Sequence, residues 1–349
     1  MPIPTIVTDS DGSRLTVRRT WPHDDGRLTI EAVEDHTGRL RAGLLTPGGT
    51  AALAPYGEDP RLPGLAAAGD AGDLLVHRFR KRAVVRAPDA YLKVLPVGKA
   101  DGVAAAHVTA ARLTAAAGIE VPRVLSVEGG TLSLSIVPGT SLYDLGRSRS
   151  DESHAETERS WSSWAERWPR FAAPLTAHDV VLPLHRAEDE IRTLSLWVAR
   201  CEAFDVLPVG AATLRAAAGQ VVERLSAGTP QAPVVAHRDL HDKQVLVPAG
   251  TGPAGGIGLI DCDTLALAEP ALDLANLLVH LEFRQAQGLL DPSARAAGER
   301  AIRAVALELR VPADRLAAYA RSTRLRLACV YAFRPRWREL AGEWCRASG

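Results

Sequence analysis

Two short apolar stretches of this chain are each followed by a dense group of polar residues. Residues 234–247 read VVAHRDLHDKQVLV, and residues 258–278 read GLIDCDTLALAEPALDLANLL. Apolar runs of this length, bounded by turn residues, are typical of buried strands. Because unpaired polar groups are costly inside a protein, we expect the aspartates that follow the two strands to meet in one functional crevice.

The size and charge of the chain narrow its class. It has 349 residues, of which 46% are hydrophobic and 23% charged, which is ordinary for a globular protein of two lobes. The formal net charge is zero, which disfavours a nucleic-acid partner. The N-terminus does not resemble a signal peptide, and no apolar run reaches the length of a membrane span. We therefore expect a cytoplasmic protein without a membrane partner; the sequence leaves its oligomeric state open.

Three regions with different patterns follow one another. Residues 1–72 predict a β-rich extension, with two strands in RLTIEAVEDHTGRLRAGLL, and then a connector rich in Pro, Gly and Asp. Residues 73–140 predict further strands around one main helix. Residues 141–349 follow mostly a helical period. These patterns predict an α+β fold, with a small β-rich N-lobe and a larger, mostly helical C-lobe.

Two helical segments carry specific expectations. Residues 101–118, DGVAAAHVTAARLTAAAG, predict the main N-lobe helix, with Asp101 as its N-cap and Gly118 at its end. Residues 146–168 are rich in Ser and charge, and their three tryptophans are spaced three and four apart. That spacing favours a loop leading into a helix docked by its tryptophans, and a lid or substrate wall is the alternative.

The motifs HRDLHDKQ and LIDCD resemble the catalytic core of the aminoglycoside phosphotransferase and choline kinase family, which shares its two-lobed fold with protein kinases. The resemblance covers about residues 73–285, with a catalytic loop at 237–247 and a metal-binding segment at 258–264. It implies transfer of the γ-phosphate of ATP, with Mg²⁺, to a hydroxyl of a small molecule. A protein kinase is disfavoured because no A-P-E segment follows the second motif.

The resemblance assigns roles to residues of the two motifs. Asp239 matches the residue that orients the acceptor hydroxyl and accepts its proton. Gln244, Asp261 and Asp263 are the expected Mg²⁺ ligands. Gln244 stands where most members carry asparagine, and this variant is similar to maltokinase-like and glucosamine kinase-like members.

Three further residues are expected to support the catalytic loop. His237 packs the loop through hydrogen bonds, and Asp273 fixes its backbone. Lys243 lies inside the loop, where it either neutralises charge on the transferred phosphate or is simply exposed.

In the N-lobe, Lys93 of YLKVL resembles the strand lysine that contacts the nucleotide phosphates. The helix carries no glutamate to pair with it, and the corresponding position falls near His107, so His107, Asp101 and Asp261 are its candidate partners. The glycine-rich phosphate loop is also absent. In its place lies a basic turn, residues 78–82, which either binds phosphates or is solvated.

The hinge between the lobes is expected at about residues 132–142. There the resemblance implies that adenine bonds the carbonyl of Ser135 and the amide of Val137. The glycine-rich residues 248–258 do not open a helix and lack a following Lys-Ser or Lys-Thr, so they predict a hairpin turn between the two catalytic strands.

The sequence leaves the acceptor open among sugars, amino sugars and aminoglycosides. A cationic acceptor needs carboxylates in the C-lobe cleft, and the acidic residues of 151–158 and 188–190 are candidates. The alternative function is a kinase-like protein that binds a nucleotide or ligand without transfer, because the glycine-rich loop and the helix glutamate are missing.

Overall fold

The first sheet of the chain is an antiparallel meander near the N-terminus. The computed structural model describes residues 3–9, 12–148, 150–173, 180–248 and 256–347. The meander consists of β1 (Ile6–Thr8), β2 (Arg14–Pro22), β3 (Leu28–Glu34), β4 (Leu40–Leu45) and β5 (Ala51–Leu53), in that order. A short helix, α1 (Leu65–Asp70), follows. The two strands predicted around the turn DHTG are therefore confirmed as β3 and β4.

A second antiparallel sheet and one long helix form the N-lobe. The elements are β6 (Asp73–Arg78), β7 (Arg82–Arg86), β8 (Ala90–Val94), α2 (Ala100–Ala115), β9 (Ile119–Glu120), β10 (Val124–Glu128) and β11 (Thr131–Ser135). The sheet order is β10-β11-β8-β7-β6. The prediction of Asp101 as N-cap is wrong, because Lys99 is the N-cap and Asp101 lies in the first turn of α2. There its carboxylate acts on the helix dipole instead of bonding a terminal amide.

Helices dominate the C-lobe, with short strand pairs among them. The elements are β12 (Thr140–Ser141), α3 (Leu142–Leu145), α4 (Asp151–Phe171), α5 (Ala187–Phe204), α6 (Ala211–Ala227), β13 (Val234–Ala236), β14 (Val245–Val247), β15 (Ile257–Leu259), β16 (Ala266–Ala268), α7 (Ala271–Ala286), α8 (Pro292–Glu308), α9 (Ala313–Ala332) and α10 (Arg338–Arg346). The predicted α+β, two-lobed fold is confirmed. Within the described ranges, no helix is both long and apolar enough to cross a membrane.

The tryptophan-rich segment is a helix of the C-lobe core. Trp161, Trp164 and Trp168 in α4 are each at most 2% exposed, and they contact one another in series. The helix packs along α8. The tryptophans therefore dock the helix as predicted, although α4 already begins at Asp151, within the stretch expected to be a loop. The alternative of a lid or substrate wall stays a prediction.

The N-terminal sheet contacts both lobes. On the N-lobe side, the His77 amide donates to Glu31, and the His77 ring lies 2.9 Å from the Asp59 carboxylate. On the C-lobe side, the amide and hydroxyl of Thr20 both donate to the carbonyl of Phe333, each at 2.9 Å. The apolar face of the sheet also joins the hydrophobic cluster of α5, α9 and α10. The sheet therefore bridges the two lobes.

Candidate active site

The two motif segments lie side by side because their strands pair. Strand β14 runs antiparallel to β15, with Val245 opposite Leu259. Beyond this pair, the Ile260 amide donates to the Gln244 carbonyl at 3.0 Å. The loop that follows β13 and the segment that follows β15 therefore meet at one edge of this small sheet. The predicted hairpin turn lies largely at 249–255, outside the described residues.

Asp273 holds the backbone of the catalytic loop. It lies in the first turn of α7, is buried, and accepts hydrogen bonds from the amides of His237 at 2.6 Å and Arg238 at 2.8 Å. Arg238 has a positive φ of 70°, an uncommon conformation for a residue other than glycine. Two hydrogen bonds from one buried carboxylate offset the cost of this turn.

His237 links the loop to the second motif. Its ring Nε2 lies 3.0 Å from the carbonyl oxygen of Ile260, and its own carbonyl accepts from the Thr264 hydroxyl at 3.0 Å. One turn further along α7, the Asn276 amide donates to the Leu240 carbonyl at 2.8 Å. These contacts fix the loop on both sides of Asp239.

Asp239 is partly buried at the centre of this framework. Burial raises the pKa of its carboxyl, and the charge of Asp261 adds to the rise. The Arg326 guanidinium and a hydrogen bond from the Gln244 amide oppose the rise, but the pKa remains above its ordinary value. A carboxylate with a raised pKa is a better proton acceptor than an exposed one.

Lys93 joins the N-lobe to the second motif. Its ammonium Nζ lies 2.8 Å from Asp261 Oδ1 and 2.7 Å from Asp263 Oδ1. Burial lowers the pKa of Lys93, but the two carboxylates outweigh burial and raise it, so the ammonium stays charged. Asp261 was therefore one of the three partners of Lys93 considered from the sequence, whereas Asp263 was not expected as a partner of Lys93.

His107 occupies the place of the missing helix glutamate. It is buried in α2, and its Nε2 lies 3.0 Å from Asp263 Oδ1, in an orientation poor for a hydrogen bond. Burial raises the pKa of Asp263, but the contacts with His107 and Lys93 outweigh it and hold the pKa well below its usual value. In place of a helix glutamate, a motif carboxylate lies between the strand lysine and a helix histidine.

The oxygen atoms of the two motifs fit a hard divalent cation. Gln244 is 4% exposed, and its Oε1 has no hydrogen-bond partner among the described residues. Asp261 has a positive φ of 61°, and its side chain is 35% exposed toward the cleft. In the described parts of the chain, no three His, Cys, Asp or Glu side chains cluster as metal ligands. A few protein oxygens combined with nucleotide phosphates is the usual arrangement for Mg²⁺.

The basic turn between β6 and β7 is partly covered by the N-terminal sheet. The Arg78 guanidinium lies over the Trp21 ring, 5.3 Å from its centroid. Burial raises the pKa of Asp261, but the charge of Lys93 outweighs burial and lowers it. Arg82 is exposed, and its charge adds to the lowering. Of the two open interpretations, phosphate binding thus suits Arg82, whereas Arg78 is held against an aromatic ring.

The hinge residues lie at the end of β11. The Ser135 amide donates to the Arg123 carbonyl, and the Ser135 hydroxyl accepts from the Arg123 amide, both at 2.9 Å. Val137 is buried, and its side chain lies against Gly258 at the start of the second motif. The hinge is therefore next to the metal-binding segment, as a nucleotide site between the lobes requires.

Three of the carboxylates considered for a cationic acceptor make contacts within the protein. Glu190 is buried 2.7 Å from the His185 ring, and Asp189 caps α5 by accepting from the Arg186 amide at 2.8 Å. In α4, Glu158 pairs with Arg300 at the surface. These contacts stabilise helices, whereas Glu152 and Glu188 are exposed.

Several site residues carry no local signal in the sequence. Arg326 in α9 donates to Asn276 at 2.7 Å and acts on Asp239. Tyr143 lies under the Lys243 ammonium, which is 4.1 Å from the ring centroid. Lys243 is exposed and has this aromatic contact. The only available hint for Asn276 was its position one helical turn after Asp273.

Solved structures with a similar fold include aminoglycoside phosphotransferases. The GDP and kanamycin complex of APH(2")-IIia is 18% identical, with a TM-score of 0.55 over 79% of this chain and 92% of that one. The GDP complex of aminoglycoside 2'-phosphotransferase-IIIa is 16% identical, with a TM-score of 0.51 over 79% and 91%. APH(3'')-Id from Streptomyces rimosus ATCC10970 is 23% identical, with a TM-score of 0.49 over 77% and 96%. Comparison with curated protein sequences gave no match.

The fold and the paired motifs define a small-molecule kinase. A family model described as the phosphotransferase enzyme family matches residues 71–309. The chain therefore belongs to this phosphotransferase family.

Proposed function

We propose that this protein transfers the γ-phosphate of ATP, with Mg²⁺, to a hydroxyl group of a small molecule, from the sugar, amino sugar and aminoglycoside classes. The observation that carries the proposal is the contact of the N-lobe Lys93 with Asp261, next to the loop that holds Asp239. This arrangement brings a phosphate-binding cation, a metal-binding carboxylate and a base into one cleft.

In the proposed reaction, the acceptor oxygen forms a bond to the γ-phosphorus while the bond from that phosphorus to the bridging oxygen breaks. ADP leaves, and the acceptor proton passes to Asp239. Lys93 neutralises charge on the nucleotide phosphates. Gln244, Asp261 and Asp263 would hold Mg²⁺, which supplies charge neutralisation when bound. The alignment of reactants and charge supplies most of the catalysis in this class of reaction.

Adenine would bond to the hinge, at the carbonyl of Ser135 and the amide of Val137. Support for a nucleotide comes from the neighbours of similar fold that were solved with GDP. The same GDP complexes make GTP a necessary second donor in any assay. We place the protein in the cytoplasm, where these nucleotides are available and where its four buried, unpaired cysteines would stay reduced.

Supporting roles are part of the proposal. His237 and Asp273 position the catalytic loop, as their hydrogen bonds to backbone groups indicate. The alternative of a binding protein without transfer loses its main motive, because His107 and Asp263 replace the missing helix glutamate beside Lys93.

A coupled ADP- or GDP-release assay over a panel of sugars, amino sugars and aminoglycosides tests the proposal. We expect acceptor-dependent release, and we expect Asp239→Asn to lower kcat by roughly 10²–10⁴-fold, as for loss of a general base. Nucleotide binding by the variant should persist. Asp89→Asn, at an exposed turn between β7 and β8, is the matched control. Acceptor-dependent turnover that survives Asp239→Asn would exclude Asp239 as the base.

A further inference from the structure

A group of basic side chains lies on the C-lobe side of the catalytic loop, away from Lys93. Lys243 belongs to the loop itself, Arg284 to α7, and Arg334 follows the end of α9. Arg19, from β2 of the N-terminal sheet, completes the group, because its charge acts on Arg334. We call these four residues the basic wall.

The basic wall is held together by aromatic rings. Arg334 lies over the Tyr331 ring, 3.8 Å from its centroid, and Arg284 Nη1 donates to the Tyr331 hydroxyl at 3.0 Å. Lys243 and Arg284 both lie over the Tyr143 ring, at 4.1 Å and 5.3 Å. Ring faces attract cations without neutralising them, so the positive charge of the wall remains available.

Carboxylates balance the basic wall poorly. Among the described residues, no carboxylate lies within 4.0 Å of the Arg334 guanidinium or the Lys243 ammonium. Arg284 has Asp242 at 3.7 Å, beyond hydrogen-bond distance, and its Nε has no hydrogen-bond partner in the described chain. Only Arg19 has a close acidic partner, Glu31. Burying like charges together is unfavourable unless an anion joins them.

The basic wall is distinct from the nucleotide side of the cleft. The contacts of the two sides differ: Lys243 and Arg284 lie over the Tyr143 ring of α3 in the C-lobe, whereas Lys93 contacts Asp261 and Asp263. Lys243 lies four residues after Asp239 in the same loop, so a group bound at the basic wall would lie beside the proposed base.

We infer that the acceptor carries an oxyanion, a carboxylate or phosphate, in addition to its reacting hydroxyl, and that Arg334, Arg284 and Lys243 bind this group. The inference rests on the proposed function and narrows its acceptor class. It agrees with the engagement of Glu190 and Asp189 in structural contacts, which removes two candidate partners of a polycationic acceptor. Planar guanidinium groups are suited to carboxylates and phosphates.

Anion titration with the nucleotide site filled tests the inference. The full chain is saturated with Mg²⁺ and adenylyl-imidodiphosphate, a non-transferable ATP analogue, and sulfate is then titrated against chloride at matched ionic strength by calorimetry. We expect saturable sulfate binding that weakens at least tenfold in Arg334→Gln. Arg336→Gln is the matched control, because Arg336 is exposed two residues away and lies over the Trp337 ring. We expect it to bind sulfate like the wild type.

Lys243→Met is a second variant at an exposed position, where misfolding is not expected, and it should also weaken sulfate binding. An activity arm compares glucuronate, glucose and glucosamine, which share one scaffold and differ in charge; we expect kcat/KM to be at least tenfold higher for glucuronate than for glucosamine. Equal sulfate binding by the wild type and Arg334→Gln, or a preference for glucosamine, overturns the inference. Failure of the ATP analogue itself to bind would instead overturn the proposed function.

Discussion

The contact between Lys93 and Asp263 gives the most direct test of the site's architecture. Asp263→Asn keeps the shape of the side chain but replaces one of the two carboxylates on the Lys93 ammonium. Lys93→Met removes the ammonium and leaves two partly buried carboxylates facing each other. Both substitutions, and their combination, are to be compared in the free energy of unfolding.

The magnitudes follow from the burial of the pair. The side chains of Lys93 and Asp263 are 12% and 19% exposed, so solvent screens them only in part. A hydrogen bond to a charged group contributes about 1.5–3 kcal/mol, and one to a neutral amide about 0.5–1.5 kcal/mol. Asp263→Asn should therefore cost about 1–2 kcal/mol. Lys93→Met should cost about 3 kcal/mol or more, because it strands buried charge.

Urea denaturation of the four proteins gives the coupling energy. We expect the double variant to be more stable than additivity predicts, by about 1–2 kcal/mol, because the two residues interact directly. Because the pKa of Asp263 is depressed in the folded state, the contribution of this carboxylate to stability depends on pH. The contribution is complete above the ordinary carboxyl pKa of about 4 and is lost as pH falls toward the folded-state pKa. Asp73→Asn, an exposed site on β6, is the control. Additive costs at neutral pH would refute the reasoning.

Three further predictions concern the catalytic loop. Gln244→Asn should keep much of the activity. Gln244→Ala should raise the Mg²⁺ concentration needed for half-maximal turnover by about tenfold, which corresponds to the loss of one charge-dipole contact of about 1.4 kcal/mol. Equal Mg²⁺ dependence in wild type and Gln244→Ala would show that the amide does not bind the metal. Turnover of the wild type should fall as pH is lowered through the raised pKa of Asp239. Ionisation of this partly buried carboxyl costs stability as pH rises. Asp239→Asn should therefore have a higher Tm than wild type at pH 8 and lose that advantage at pH 4. Asp273→Ala leaves two backbone donors without an acceptor and should lower the free energy of unfolding by about 1–3 kcal/mol for each donor, offset in part by removal of a buried charge. Asp273→Asn should lower it less. A free energy of unfolding equal to that of wild type in both variants would contradict the loop-anchoring role.

Local sequence patterns were sufficient for the elements around the motifs. The apolar runs before Asp239 and Asp261 predict strands, and both residues follow strands in the structure. Helical spacing likewise predicted that the three tryptophans of α4 pack on one face. These features depend on neighbours within a few residues, which a single sequence displays.

Contacts between distant segments could not be predicted in this way. Asp263 contacts both Lys93 and His107 because three separate elements converge. This role of Asp263 was not predicted, whereas Asp261 and His107 were both expected as candidate partners of Lys93. The same holds for Arg326 and Arg334, whose importance depends on the path of α9. The error at Asp101 has a different origin: a helix start offers several capping positions, and the N-cap of α2 is Lys99, two residues before the acidic side chain.

The position of the N-terminal sheet has a consequence for how the molecule melts. Hydrogen bonds at His77 and Thr20 attach the sheet to the N-lobe and to the C-lobe. Its residues Leu15, Val17 and Ile30 also lie in the same hydrophobic cluster as Val198 and Phe333. We therefore expect the two lobes to unfold together, as a single cooperative thermal transition in calorimetry. A chain that lacks residues 1–54 would lose this sheet and expose the apolar surfaces of α5, α9 and α10, so the shortened protein should aggregate where the full chain stays in solution.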